Sequence, residues 1–264
     1  MHEFEELNKA LIITEAKKVA AFADSNLGQL AGMCQEKIML QDYYLGMIRR
    51  QAILLSDIAI LIEHTAHHNI SSIFIIVRCL LDDFLHVLYF KLNGDEEENI
   101  TKLNADVHRQ MFKSVEVIME SNHLHFEGQN PFYITDEAFV ALKEQFINRG
   151  ENDIYFVNKG QFRFKKFKTL LEIASGITDF DLSKLSQRAF YFWKDTSEFI
   201  HYSNTTFEKE INADNKQHNL AILEEIILYS YNTIELSFRY FRDLHAFDLI
   251  DEDNLAERYA IRYP

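Results

Sequence analysis

Helix breakers are scarce in this chain. Its 264 residues include only two Pro and eight Gly, where average usage predicts about 13 and 18. A backbone with so few interruptions is free to form long helices, and apolar periodicity near the helical repeat runs through most of it. The pattern predicts helices over about 3–24, 36–67, 70–92 and 97–121. Asn26 with Gly28, Asn69 with Ser71, and Asn93-Gly94 serve as stops and caps. Helical patterning resumes at about 166–175, 182–210 and 217–245. The acidic run Asp95, Glu96, Glu97, Glu98 reads as a first turn complementing the helix dipole.

Between about 122 and 165 the texture changes, with Gly128, Gly150 and Gly160, one of the two Pro, and aromatic residues alternating with period two. IYFV, then Asn158-Lys159-Gly160, then QFRFK predicts a β-hairpin near 154–165, with HLHFEGQNPFYI as a weaker strand pair. Thr135 is placed to cap a helix over 136–149. The expected fold is all-α: a bundle of about six to eight long helices with a small β-hairpin insert. It forms a single domain over 1–264, ending in a tail from residue 246.

With 47% hydrophobic residues, 22 Phe and 12 Tyr, the chain has ample material for a core. A formal charge of −14 works against nonspecific attraction to nucleic acid or anionic membrane, so such binding would need a local basic patch. Cys34 and Cys79, the only cysteines, exclude a disulfide framework. The opening MHEFEELNKA lacks the basic and apolar regions of a signal peptide. The best apolar run, AILLSDIAILI, is broken by Ser56 and Asp57 before it could span a bilayer. These features predict a cytoplasmic location with no membrane partner.

Two helices carry polar residues where core is expected. Winding 70–90 at about 100° per residue gathers Ser71, Arg78, Asp82, His86 and Tyr89 into one arc, while the rest is Ile, Val, Leu and Phe. Arg78 and Asp82 are an i,i+4 pair. The stripe either meets solvent or lines a pocket. On the helix over 182–210, Ser197 and His201 fall on the side of Phe190, Trp193 and Ile200 and are expected to point inward, where they need partners. A polar stripe on a neighbouring helix would supply them.

R-x3-D on one apolar helix and Y-x5-S-x3-H on a later one resemble an uncharacterised bacterial helical family, a domain of unknown function, over about 70–205. The matching residues are Arg78 with Asp82, then Tyr191, Ser197 and His201; Asp82 stands where that family carries Glu. The family is loosely similar to HEPN and abortive-infection proteins, some of them ribonucleases with an R-x4–6-H motif, a spacing matched here by Arg239 and His245. The resemblance implies a polar pocket of Arg78, Asp82, Ser197, His201 and Tyr191, with RNA as partner and phage defence as role.

A rival pattern is acid-x-x-His, found at Glu198/His201 and Asp83/His86, the spacing of ferritin-like metal bundles. Only Glu63 beside His64, His67 and His68 offers further ligands, so neither a metal nor another cofactor is expected. Lys159, Arg163, Lys165, Lys166 and Lys168, interleaved with Phe162, Phe164 and Phe167, form the single basic patch; the alternation favours an edge strand over a grip on nucleic acid. No nucleotide-binding loop or nucleophile elbow is present. The alternative to RNA targeting is a noncatalytic helical module, rich in Phe and Tyr, that pairs as a homodimer.

Overall fold

A computed structural model describes residues 2–30, 33–34, 39–64, 70–92, 95–129, 134–147, 180–200, 215–245 and 248–261. Among the described residues every regular element is a helix. The hairpin expected near 154–165, the basic patch, and the helix expected over 166–175 lie outside them. The chain divides into two compact units, Met1–Gly94 with Phe167–Pro264, and Asp95–Lys166.

In the first unit, α1 (His2–Leu30), α2 (Met39–His64), α3 (Ile70–Leu92), α6 (Phe180–Thr196) and α7 (Asn215–Leu244) pack side by side. α1 lies on α2, α7 touches α1, α2 and α3, and α6 lies on α3. α3 is the centre of this packing. Phe74, Val77, Leu80, Leu81, Phe84, Leu85, Val87, Leu88 and Phe90 are all fully buried, as expected of a helix apolar around most of its circumference. α7 is equally enclosed from Tyr229 to Phe238, and its buried Thr233 and Ser237 return their hydroxyls to Tyr229 O and Thr233 O at 2.8 and 2.7 Å. Buried polar side chains can thus stay in a core helix without an outside partner.

Several expected boundaries move. α1 does not stop at Asn26 and Gly28 but runs on to Leu30. Asn26 is fully buried, bonds back to Phe22 O at 2.9 Å, and spends its amide on Ile250 rather than on ending the helix. The helix expected over 182–210 ends at Thr196, where the chain tightens into a 3₁₀ turn, Ser197–Ile200. Thr196 and Ser197 return their hydroxyls to Phe192 O and Trp193 O at 2.7 and 2.6 Å, bonds that bend a helix. Phe199 then stacks on Phe74 with ring centroids 4.9 Å apart, fixing the turn to α3.

The residues expected as a tail are docked instead. Over 248–261 the segment is held by two buried amides, Asn26 to both Ile250 N and Ile250 O, and Asn232 to Tyr259 O and Ile261 N. A short helix, α8 (Leu255–Tyr259), buries Leu255 and presents Arg258 and Tyr259 to the Glu15 carboxylate.

In the second unit, Asp95 caps α4 (Glu96–His125) by accepting Glu98 N at 3.1 Å. α4 continues through His123 and His125, so the weaker strand pair expected there is not formed. Phe126 N and Gly128 N close the helix on Asn122 O, with Gly128 at φ 78°. Thr135 caps α5 (Asp136–Ile147) as expected, accepting Ala138 N at 3.2 Å.

Candidate functional site

The polar arc of α3 faces α6. Ser71, Arg78, Asp82 and His86 are each partly covered, and Tyr89 is 9% exposed. Arg78 Nε donates to Ser197 Oγ at 3.0 Å, a bond spanning 119 residues of sequence, and its guanidinium lies 5.0 Å from the centre of the Trp193 ring. The indole N–H of Trp193 donates to Asp82 Oδ1 at 3.0 Å. Asp82 Oδ2 lies 3.5 Å from His86 Nδ1. The expected Arg78–Asp82 pair is thus replaced by a longer circuit, in which Trp193 and Ser197 of the second element sit between the two charges.

Each piece follows from local sequence. Arg78, Asp82 and His86 are spaced by four and rise along one side of α3. Trp193 and Ser197 are likewise four apart and project toward α3 from the end of α6, where the 3₁₀ turn begins. The guanidinium is oriented twice, by a hydrogen bond at Nε and by the ring beneath it. Its two terminal amino groups take no hydrogen bond or ion pair among the described residues.

About 100° around α3 from Asp82, Asp83 meets α2. Asp83 Oδ2 accepts Gln51 Nε2 and pairs with Arg50 Nε, each at 3.0 Å. Burial pushes the Asp83 carboxyl up to about 7; Arg50 opposes the rise, Asp82 adds to it and the Gln51 bond opposes it. α6 is tied to α7 by an Arg188–Glu225 ion pair and by His218 Nε2, 3.6 Å from Asp195 Oδ2.

The structure therefore brings together Arg78, Asp82 and Ser197 and adds His86. Tyr191 is not gathered in; it is 58% exposed, on another face of α6. His201 lies outside the described residues. Arg239, the first residue of R-x5-H, gives its Nε to Glu235 Oε1 at 2.7 Å, and Arg242 joins the same oxygen at 3.0 Å. The acid-x-x-His pair on α3 diverges, since Asp83 turns to α2 and His86 to Asp82. Glu198 is exposed, and Glu63 pairs with Lys17 at 2.8 Å. His64 is exposed, while His67 and His68 lie outside the described residues. No group of three His, Cys, Asp or Glu that could hold a metal occurs among the described residues.

Sequence reasoning foresaw the inward turn of Ser197 and set Trp193 on the same side, but gave Trp193 no role. It also missed Arg50 and Gln51. Gln51 had a signal: it lies three residues after Ile48 and four before Leu55, on the buried face of α2, where an amide has to find a partner. Compared with family models, curated proteins and solved structures, the chain shows no significant match to any of them.

Proposed function

We propose that this chain is an RNA-targeting helical protein of the HEPN or abortive-infection type, and that the Arg78 cluster holds the RNA phosphodiester. The observation that carries the reading is the state of Arg78. Its Nε is committed to Ser197 and one face to Trp193, leaving the planar edge that suits two phosphate oxygens. Asp82 holds the Trp193 N–H and lies beside His86, so an imidazole oriented by a carboxylate stands one turn beyond Asp82 and about two turns along α3 from Arg78.

In this reading the 2′-hydroxyl of the RNA attacks phosphorus, its proton passing to a histidine, and the 5′-oxygen leaves with a proton from a second acid. Arg78 neutralises the charge that grows on the phosphate. His86 and His201, four residues beyond Ser197, are the proton carriers. Incubation of the purified protein with total RNA tests the reading. Cleavage is expected from the wild type, and a loss of about 100-fold or more from Arg78→Ala or His201→Ala, in line with removal of an electrostatic or acid–base group. Tyr191→Phe is expected to cut at the wild-type rate. Intact RNA in the wild-type reaction would discard the nuclease reading.

A second reading, the noncatalytic homodimer module, draws on Ile53 and Ile60. They lie seven residues apart on α2 and are 50% and 51% exposed.

A further inference from the structure

We infer that Asp83 is a positioning residue behind the Arg78 cluster, and that gain or loss of a proton on its carboxyl, accompanied by a half-turn of the Gln51 amide, is transmitted to the Asp82–Trp193 bond. The inference concerns the α2–α3 seam and goes beyond the RNA reading, on which it does not depend.

The Asp83–Gln51 pair has two hydrogen-bonded arrangements. Asp83 is 3% exposed and Gln51 fully buried. In the arrangement observed, Gln51 Nε2 donates to Asp83 Oδ2, while Gln51 Oε1 is buried and without a hydrogen-bond partner. That is the arrangement an ionised carboxylate requires, since it can only accept. A neutral carboxyl carries an O–H and needs an acceptor. Turning the Gln51 amide by half a revolution brings Oε1 to that proton, and moves the Nε2 donors to the buried position where Oε1 now has no partner. In either orientation Gln51 offers the Asp83 carboxyl a partner of the kind its protonation state needs, at the cost of one unpartnered amide group.

The surrounding charges allow the proton to be exchanged near neutrality. From α2 come Arg50, half exposed at its tip, and the neutral Gln51. From α3 come Asp82, next in the chain, and His86, one turn on. α6 offers Arg188, which is occupied by Glu225. α7 offers Glu225 and Tyr229; the Tyr229 hydroxyl is bonded to Glu225 and held far above its ordinary value by burial, so it stays protonated. Only Arg50 and Asp82 act strongly on Asp83, with opposite signs, and burial tips the balance toward the neutral form.

Transmission runs through one peptide unit. Asp82 and Asp83 repel when both are ionised, and ionised Asp83 also draws Arg50 onto the seam. Neutral Asp83 removes both forces, so the Asp82 carboxylate and the indole N–H it accepts relax together. Trp193 is the only tryptophan in the chain and thus an intrinsic reporter placed at the end of this path.

The test is a titration of Trp193 fluorescence and of its indole N–H resonance from pH 5 to 9 on the full chain. The wild type is expected to show a single transition near pH 7, absent in Asp83→Asn and retained in His86→Gln. Arg50→Gln, which removes an exposed charge and leaves the core intact, is expected to raise the midpoint by about one pH unit. It also keeps the test decisive if Asp83→Asn fails to fold. A flat wild-type profile, an unchanged transition in Asp83→Asn, an unmoved midpoint in Arg50→Gln, or loss of the transition in His86→Gln would each overturn the inference. The last outcome would make His86 the titrating group.

Discussion

Asp82 and Asp83 are adjacent in sequence yet serve different helices, because consecutive residues on a helix point about 100° apart. Asp82 takes the Trp193 indole of α6, whereas Asp83 takes Gln51 and Arg50 of α2. The raised proton affinity of Asp83 determines a stability effect. Its carboxyl moves from an ordinary 3.8 to about 7 in the fold, so its contribution is fully present below the unfolded value and is lost as pH rises through the folded one. Asp83→Asn removes that loss. The substitution is expected to stabilise the chain more at pH 8 than at pH 4, by up to about 2–4 kcal/mol, since each tenfold change in proton affinity is worth about 1.4 kcal/mol. Urea midpoints at the two pH values measure the difference; equal effects would show that the carboxylate is well solvated in the fold. Arg78→Lys belongs to the same scale. It keeps the charge but loses both the planar fork and the Nε bond to Ser197, so under the RNA reading cleavage is expected to fall nearly as far as in Arg78→Ala.

Among the elements, α3 and the docked C-terminal segment show two ways of holding helices together. α3 is held mainly by apolar burial on α2, α6 and α7. The segment over 248–261 buries Leu255 and otherwise depends on side-chain bonds to backbone and on Glu15. Asn26→Ala removes both bonds to Ile250, which is 46% exposed and can turn to water. The expected cost is therefore about 1–2 kcal/mol rather than a failure to fold, with faster proteolysis within 248–261 as the measured sign. Acid should loosen the same attachment. Burial pushes the Glu15 carboxyl up, but the Tyr259 hydroxyl, Lys18 and Arg258 outweigh it and hold the carboxyl below its ordinary 4.5. A depressed group contributes stability above its unfolded value and loses it as pH falls through the folded one. Protection of the amides in 255–259, relative to their intrinsic exchange rates, should fall as the pH drops below the ordinary 4.5, and Glu15→Gln should weaken the segment at neutral pH and flatten that dependence.

At the scale of the whole molecule, the formal charge of −14 sets the conditions for any polyanion partner. In the RNA reading the ligand must approach a chain of the same sign, so binding at Arg78 is expected to strengthen at moderate salt before competing anions weaken it. No helix among the described residues is long and apolar enough to cross a membrane. The homodimer reading makes its own forecast. Light scattering should give twice the chain mass at micromolar concentration, reverting to one chain mass in Ile53→Glu/Ile60→Glu; a monomeric wild type removes the reading.

Sequence alone determined the helical character of the described residues, because two Pro and eight Gly leave little to interrupt the backbone and the apolar spacing repeats at the helical period. It placed α3 to the residue, gave α7 within a few residues, and identified Thr135 as a cap. It also drew the polar arc of Arg78, Asp82 and His86, since a helical wheel fixes where each side chain points about its own axis. Which helix lies across from that arc is another matter. Tertiary packing decided that Arg78 meets Ser197 rather than Asp82, that Asp83 is shared with Gln51 and Arg50, and that the residues after 246 return to Asn26 and Asn232. Those pairings join positions 27 to 224 residues apart, and periodicity carries no information about contacts at such separations. They follow from the order in which whole helices pack to bury apolar surface, and the polar side chains then take the partners that this packing leaves within reach.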